Sequence, residues 1–233
     1  LEGGIGNDEI DGGAGFDTVV YTGAGDVTVN LLWGTSSGAM GNDTLSSIEK
    51  VETGSGDDTI YGSDDGDQIN AGEGDDVVYA LGGSDLISGE GGNDLLFGYN
   101  GIDIVYGGAG NDTIGGGNGA DTLQGENGND EIDGDAGNDF IMGGAGTDQL
   151  RGGDGLDIIN GGTGADVIAW DAGDTGADTI AGFVLGEDKL WFGTGYFADE
   201  PVGDVELIDV LRRQAGQGVA RRARVTPGGV DVD

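Results

Sequence analysis

The chain has no cysteine and no histidine, only two prolines, and eight basic residues against 45 acidic ones. Each shortage closes a class of explanation. Without Cys there are no disulfides and no thiolate metal sites. Without His there is neither a zinc-hydrolase motif nor a His-containing catalytic triad, so this segment is read as non-enzymatic. A formal charge of −37 points away from nucleic acid and anionic membranes, and toward multivalent cations or a basic partner. No apolar run approaches the roughly 18 residues of a transmembrane helix, and no basic-then-apolar leader opens the chain. Glycine is abundant, at 55 of 233 residues, but it lacks the strict triplet period of collagen.

What the sequence does have is a period of nine. Asp58, Asp67, Asp76, Asp85, Asp94, Asp103, Asp112, Asp121, Asp130, Asp139, Asp148, Asp157 and Asp166 keep that spacing without a slip. An aliphatic follows each by two residues, from Ile60 and Ile69 to Ile159 and Ile168, and Gly precedes each by two except at Asp65. The unit is G-G-x-G-x-D-x-U-x, with U aliphatic, as in Gly107-Gly108-Ala109-Gly110-Asn111-Asp112-Thr113-Ile114-Gly115. The glycine-rich stretch suits a tight turn, and x-U-x is long enough for a short strand that points U inward. Two units then form an 18-residue coil with one strand in each of two sheets, and stacked coils pair as parallel strands about 4.8 Å apart. Turns stack with the strands. Each brings an Asp carboxylate and several carbonyls beside those one coil away, a cage for a hard cation with six or more oxygen ligands, where Ca²⁺ fits better than Mg²⁺. Thirteen repeats paired two apart give eleven such cages. A neutral Asx turn would accept Asn equally well, yet Asn never replaces these aspartates. One aliphatic per nine residues buries little apolar surface against the entropy of ordering so much glycine, and stacked carboxylates repel. The metal-free chain is therefore expected to be disordered and the calcium form folded.

The unit resembles the RTX (repeats-in-toxin) calcium-binding nonapeptide, and the resemblance runs through residues 1–192. The expected fold is all-β, a parallel β-roll of stacked 18-residue coils with an irregular C-terminal cap. Two further repeats, GGIGNDEID and GGAGFDTVV at residues 3–20, place Asp8 and Asp17 in the ligand position. Leu1 falls in an aliphatic slot, which suggests repeats upstream. Residues 21–52 interrupt the array as an enlarged coil, within which Val27 to Leu31 alternates like a strand. Gly41-Asn42-Asp43-Thr44-Leu45 repeats the core motif out of phase, and Val51 restores the phase with Glu49 in the Asp slot. Irregular capping coils at 170–192 carry Asp178 and Asp188 in ligand positions, with Trp170, Phe183, Trp191 and Phe192 expected to close the end of the core. Residues 193–233 form a cap or secretion-signal region. Within it, Asp204 to Gly216 has helix-like termini, Ala223 to Val232 reads as a hairpin, and Arg212, Arg213, Arg221, Arg222 and Arg224 cluster. That cluster docks the cap or meets an anionic glycan or lipid. On one sheet, Tyr61, Val77, Tyr79, Leu95 and Phe97 would form an outward apolar ladder, expected to lie under residues 21–52 or a partner.

By resemblance, the chain is a calcium-loaded module of a protein exported by a type I secretion system of a Gram-negative bacterium. Asp side chains and loop carbonyls would supply the ligands. Two parents remain open: a surface protein such as an S-layer protein, adhesin or toxin, or a secreted protease, lipase, nuclease or alginate epimerase carrying this module at its C-terminus. Expected partners are calcium, the export apparatus, and a cell-surface glycan or another protein. An EF-hand reading of Asp133, Asp135 and Asp139 fails for want of the twelfth-position Glu and flanking helices.

Overall fold

A computed structural model of the chain describes residues 1–192, apart from positions 24, 172 and 173, together with the strands Val205–Leu207, Ala223–Thr226 and Gly229–Val232. The described residues contain strands and turns and no helix. Two twelve-stranded sheets face each other. Successive repeats alternate between them, because every second strand joins the same sheet. In the first sheet Thr59–Ser63, Val77–Gly83, Leu95–Gly101, Thr113–Gly119 and Glu131–Gly137 are parallel neighbours. In the second, Gln68–Glu73, Leu86–Gly91, Ile104–Ala109, Thr122–Asn127, Phe140–Ala145 and Ile158–Thr163 pair in the same way.

The register puts like on like. Ile60, Val78, Leu96, Ile114, Ile132, Leu150 and Ile168 stack on the first sheet. Ile69, Ile87, Val105, Leu123, Ile141, Ile159 and Ile180 stack on the second. These two inward rows are buried and form the core. A two-residue side-chain alternation also turns inward the position two after each aliphatic, where Ala71 and Ala80 join the core and glycine stands in the later repeats.

Three strands of the interruption at 21–52 join the first sheet edge to edge, while its last, Lys50–Glu52, sits in the second between Thr18–Val20 and Gln68–Glu73. Val27–Asn30 pairs parallel with Thr59–Ser63, and Thr35–Gly38 pairs antiparallel with it on the other side. Thr44–Ser46 then meets both Thr35–Gly38 and Glu9–Asp11. The outward ladder is therefore not covered by this segment, which extends the sheet instead. Its rings shield one another: Tyr61 stacks on Tyr79 at 5.1 Å and Tyr79 on Phe97 at 5.8 Å, leaving them half-buried.

Two expectations at the C-terminal end need correction. Val205–Leu207, inside the expected helix, is a strand pairing with Thr179–Ala181, so the unpaired edge of the second sheet outweighs local helix signals there. Residues 208–216 and four of the five clustered arginines lie outside the described residues. Ala223–Thr226 and Gly229–Val232 do pair antiparallel as the hairpin. Trp170 is buried in the core and Phe183 packs against it. Trp191 is about half exposed, because it sits beside Ala169 in the outward register while its neighbour Leu190 takes the inward one.

Candidate metal centre

The glycine-rich turns place the repeated aspartates along two opposite edges of the roll. Column one contains Asp58, Asp76, Asp94, Asp112, Asp130, Asp148 and Asp166, each just before a strand of the first sheet. Column two contains Asp67, Asp85, Asp103, Asp121, Asp139 and Asp157, each just before a strand of the second. All thirteen are buried.

Within a column the turns are tied by a hydrogen-bond chain with an 18-residue step. The Asp94 N–H donates to Asp112 Oδ1 at 2.9 Å, Asp112 N–H to Asp130 Oδ1 at 2.9 Å, and Asp130 N–H to Asp148 Oδ1 at 2.9 Å. Column two repeats this from Asp67 through Asp85, Asp103, Asp121 and Asp139. One carboxylate oxygen per turn is thus consumed by the backbone. The other is buried without a hydrogen-bond partner in Asp8, Asp17, Asp58, Asp76, Asp85, Asp94, Asp103, Asp112, Asp121, Asp130, Asp139, Asp148, Asp157 and Asp166.

Leaving a buried polar group unsatisfied costs about 1–3 kcal/mol, and more when it is charged. Fourteen such oxygens would outweigh the whole net stability of an ordinary domain, about 5–15 kcal/mol. Either protons or cations must compensate them. Burial, opposed by the backbone hydrogen bond and reinforced by like charge along the column, pushes Asp76, Asp85 and Asp139 up to about 7. Burial likewise raises Asp94, Asp112, Asp121, Asp130 and Asp148 to about 6.

Beside the free oxygens of the turns from Asp94 to Asp148 the arrangement also suits a cation. A Cβ placed on Gly116 would lie 2.8 Å from Asp121 Oδ2 and 2.9 Å from the Gly134 carbonyl oxygen of the next coil. The same oxygen pair crowds Gly89, Gly98, Gly107, Gly125, Gly134 and Gly143. A carboxylate oxygen and a carbonyl oxygen therefore converge where only hydrogen can stand, which is the donor set of a hard cation. No three acidic side chains converge among the described residues; each turn offers one carboxylate and backbone oxygens instead. The corresponding residues at the N-terminal end of the array carry side chains: Thr53 before Asp58, Ala71 before Asp76 and Ala80 before Asp85.

Four of the expected ligands have their second oxygen already occupied. Asp67 Oδ2 accepts from the Ser63 N–H at 2.7 Å and the Ser63 hydroxyl at 3.0 Å. Asp43 Oδ2 accepts from Tyr21 at 2.9 Å and Ser36 at 3.1 Å, while its Oδ1 takes the Asp8 N–H. Burial and the neighbouring carboxylates raise the Tyr21 phenol far above its ordinary range. Asp178 Oδ2 accepts from Trp170 Nε1 at 2.7 Å, and Asp188 Oδ2 from the Val184 N–H at 2.6 Å. Glu49 stands in for Asp at its turn, taking the Asp17 N–H at 2.8 Å.

Sequence reasoning missed a second ladder on the outside of column one. Asp75 N–H donates to Asp57 Oδ1 at 3.0 Å, Asn93 to Asp75 at 2.7 Å, Asn111 to Asn93 at 2.9 Å, Asn129 to Asn111 at 2.8 Å and Thr147 to Asn129 at 2.7 Å. The recurrence of Asp or Asn one residue before the buried Asp was its signal.

Compared with known families, the chain matches the RTX calcium-binding nonapeptide repeat at residues 1–19 and in overlapping copies that run from residue 52 to residue 180. These stretches make up more than half of the chain. It belongs to this family. RTX nonapeptides bind calcium, so the many copies here imply several ions. Among curated proteins no match was found. The gap in the family match, residues 20–51, coincides with the antiparallel insertion.

Proposed function

We propose that this RTX module is a calcium-gated folding unit without catalytic function of its own. It serves the export, and then the folding outside the cell, of a secreted or surface-bound bacterial protein. Fourteen buried carboxylate oxygens without a partner carry this reading. In calcium-poor cytosol their mutual repulsion and desolvation oppose the roll, so the chain stays extended enough to thread a type I export channel. In calcium-rich surroundings each ion replaces lost hydration with carboxylate and carbonyl ligands, and binding free energy becomes folding free energy. The proposed side-chain ligands are the fourteen aspartates with a free Oδ2. Asp43, Asp67, Asp178 and Asp188 are assigned instead to hydrogen-bonded turns.

Far-UV circular dichroism during a calcium titration, with magnesium as the control, tests the switch. A cooperative coil-to-β transition is expected with calcium alone, because Mg²⁺ demands a tighter octahedral shell and gives up water reluctantly. A β spectrum that persists in chelator would refute it.

A further inference from the structure

We propose that the outer face of the second sheet is a self-association surface, on which two copies of the folded chain pack face to face about a twofold axis lying along the strand Thr122–Asn127. Outward positions alternate with the core row on every strand. Two adjacent outward rows carry no charge over five consecutive coils. The first is Leu86, Ile104, Thr122, Phe140, Ile158, and the second is Ser88, Tyr106, Gln124, Met142, Asn160. In a chain with 45 acidic residues this is a marked exclusion. On the first sheet the corresponding rows are also uncharged from Thr28 and Asn30 to Thr113 and Gly115, but there the rings of Tyr61, Tyr79 and Phe97 stack on one another and are half-buried, and Glu131, Asp133 and Arg151 follow in the same rows. Leu86, Ile104, Phe140 and Ile158 are each more than a third exposed, and Ile102 and Leu156 extend the apolar margin at the turns.

The partner is identified by the order of the rows. A twofold axis along the central strand keeps position along the strands and reverses the order of the coils. Leu86 then meets Ile158, Ile104 meets Phe140, and Thr122 meets Thr122. In the second row Ser88 meets Asn160, Tyr106 meets Met142, and Gln124 meets Gln124. Apolar falls on apolar and polar on polar throughout, the self-complementarity an isologous interface requires. Over these two rows, two strongly acidic rolls bring no carboxylates into opposition. Five strands about 4.8 Å apart and about 20 Å long give about 500 Å² on each partner, or about 1,000 Å² in all, the lower bound of a specific interface. Association is therefore weak and concentration-dependent. One contact opposes it: Glu126, exposed in the third outward row, faces its own symmetry mate.

Sedimentation velocity in saturating calcium, from about 10 µM to about 1 mM chain, tests this over the range where such an interface titrates. The expected result is a reversible monomer–dimer equilibrium. Ile104→Ser with Phe140→Ser should weaken it at least about tenfold, while Tyr79→Ser on the other sheet leaves it unchanged. Glu126→Gln should tighten it several-fold. A single-chain mass throughout, or association indifferent to the second-sheet variants, overturns the proposal. Indifference to Glu126→Gln overturns the placement of the axis. Because the face exists only in the folded roll, the inference rests on calcium-driven folding, and circular dichroism of the same samples separates the two. A folded monomer defeats the dimer alone; a chain unfolded in calcium defeats both.

Discussion

The turns from Asp94 to Asp166 and those that flank them share a backbone path but differ in what surrounds the carboxylate. In the central run the Asp keeps a free buried oxygen, and glycine stands beside it. Toward the N-terminus, Thr53, Ala71 and Ala80 occupy that glycine position, and Ser63 hydrogen-bonds the free oxygen of Asp67. Beyond the C-terminal end of the run, the Trp170 indole and the Val184 amide perform the same service for Asp178 and Asp188. The same turn can thus be completed by a cation or by a protein donor. That donor is present at Asp67, Asp178 and Asp188, whereas Asp58, Asp76 and Asp85 keep a free oxygen like the central turns.

Calcium removal should separate the two classes most strongly. Chelation is expected to abolish amide-exchange protection across the strands from Leu95 to Trp170, because every turn there carries an uncompensated carboxylate. Uniform protection with and without calcium would erase the distinction. Single substitutions should follow with smaller effects. Asp112→Ala removes a carboxylate from the central column and also the acceptor for the Asp94 N–H. It should raise the calcium midpoint about tenfold, equivalent to about 1.4 kcal/mol. Asp178→Asn keeps an acceptor for Trp170 and should move the midpoint less than about twofold. Equal shifts would mean that Asp178 is also a ligand. Conversely, Ser63→Gly with Asp65→Gly restores the repeat around Asp67 and removes the hydroxyl donor to its Oδ2, leaving only the residue-63 amide there. Equilibrium dialysis should then find one more calcium per chain, and an unchanged stoichiometry would show that the serine is not what keeps this turn free of an ion.

Protons offer a second way to compensate the central turns. The folded carboxylates are raised to about 6 or 7, while an unfolded Asp titrates near 3.9. The folded form therefore binds more protons between those values. The metal-free roll gains stability as pH falls from about 7 to about 4, gains nothing further below, and carries the full penalty above 7. Circular dichroism in chelator should show β structure growing from pH 8 to pH 4.5. The calcium midpoint should rise over the same interval, since protons compete for the same oxygens. A metal-free signal independent of pH would show that carboxylate repulsion is not what holds the chain open.

The repeated part of this molecule was legible because one nine-residue period fixes both the inward aliphatic and the turn Asp. Ile60 through Ile168 could therefore be assigned to the core, and the aspartates to the turns, from spacing alone. What the spacing could not show is how each free oxygen is satisfied. Ser63 lies four residues before Asp67, in a turn already marked by Asp65, so that exception had a visible signal. Tyr21 reaches Asp43 across 22 residues of an insertion without register, and no local pattern foretold it. The strand at Val205–Leu207 was misread as helix because capping residues are local, whereas the open edge that recruits it is a product of the whole stack. The neutral face of the second sheet was present in the sequence, but it emerges only when outward residues of both sheets are sorted by coil.

The smallest effect concerns the second glycine of the repeat. At several turns where another residue replaces it, the backbone still adopts the left-handed conformation, with φ of 80° at Leu81, 73° at Glu90, 71° at Tyr99 and 72° at Glu126. Such a conformation costs a residue with a Cβ about 1–2 kcal/mol. Glycine removes that strain but loses more chain entropy on folding, about 0.5–1 kcal/mol. Glu126→Gly should therefore stabilise the calcium form by only about 0.5–1 kcal/mol, measured by denaturant unfolding at high dilution, where any gain from self-association is absent. Loss of stability instead would mean that Glu126 contributes an interaction in the folded roll large enough to repay its strain. The acidic residues at this position would then belong to the calcium-binding edge as well as to the surface.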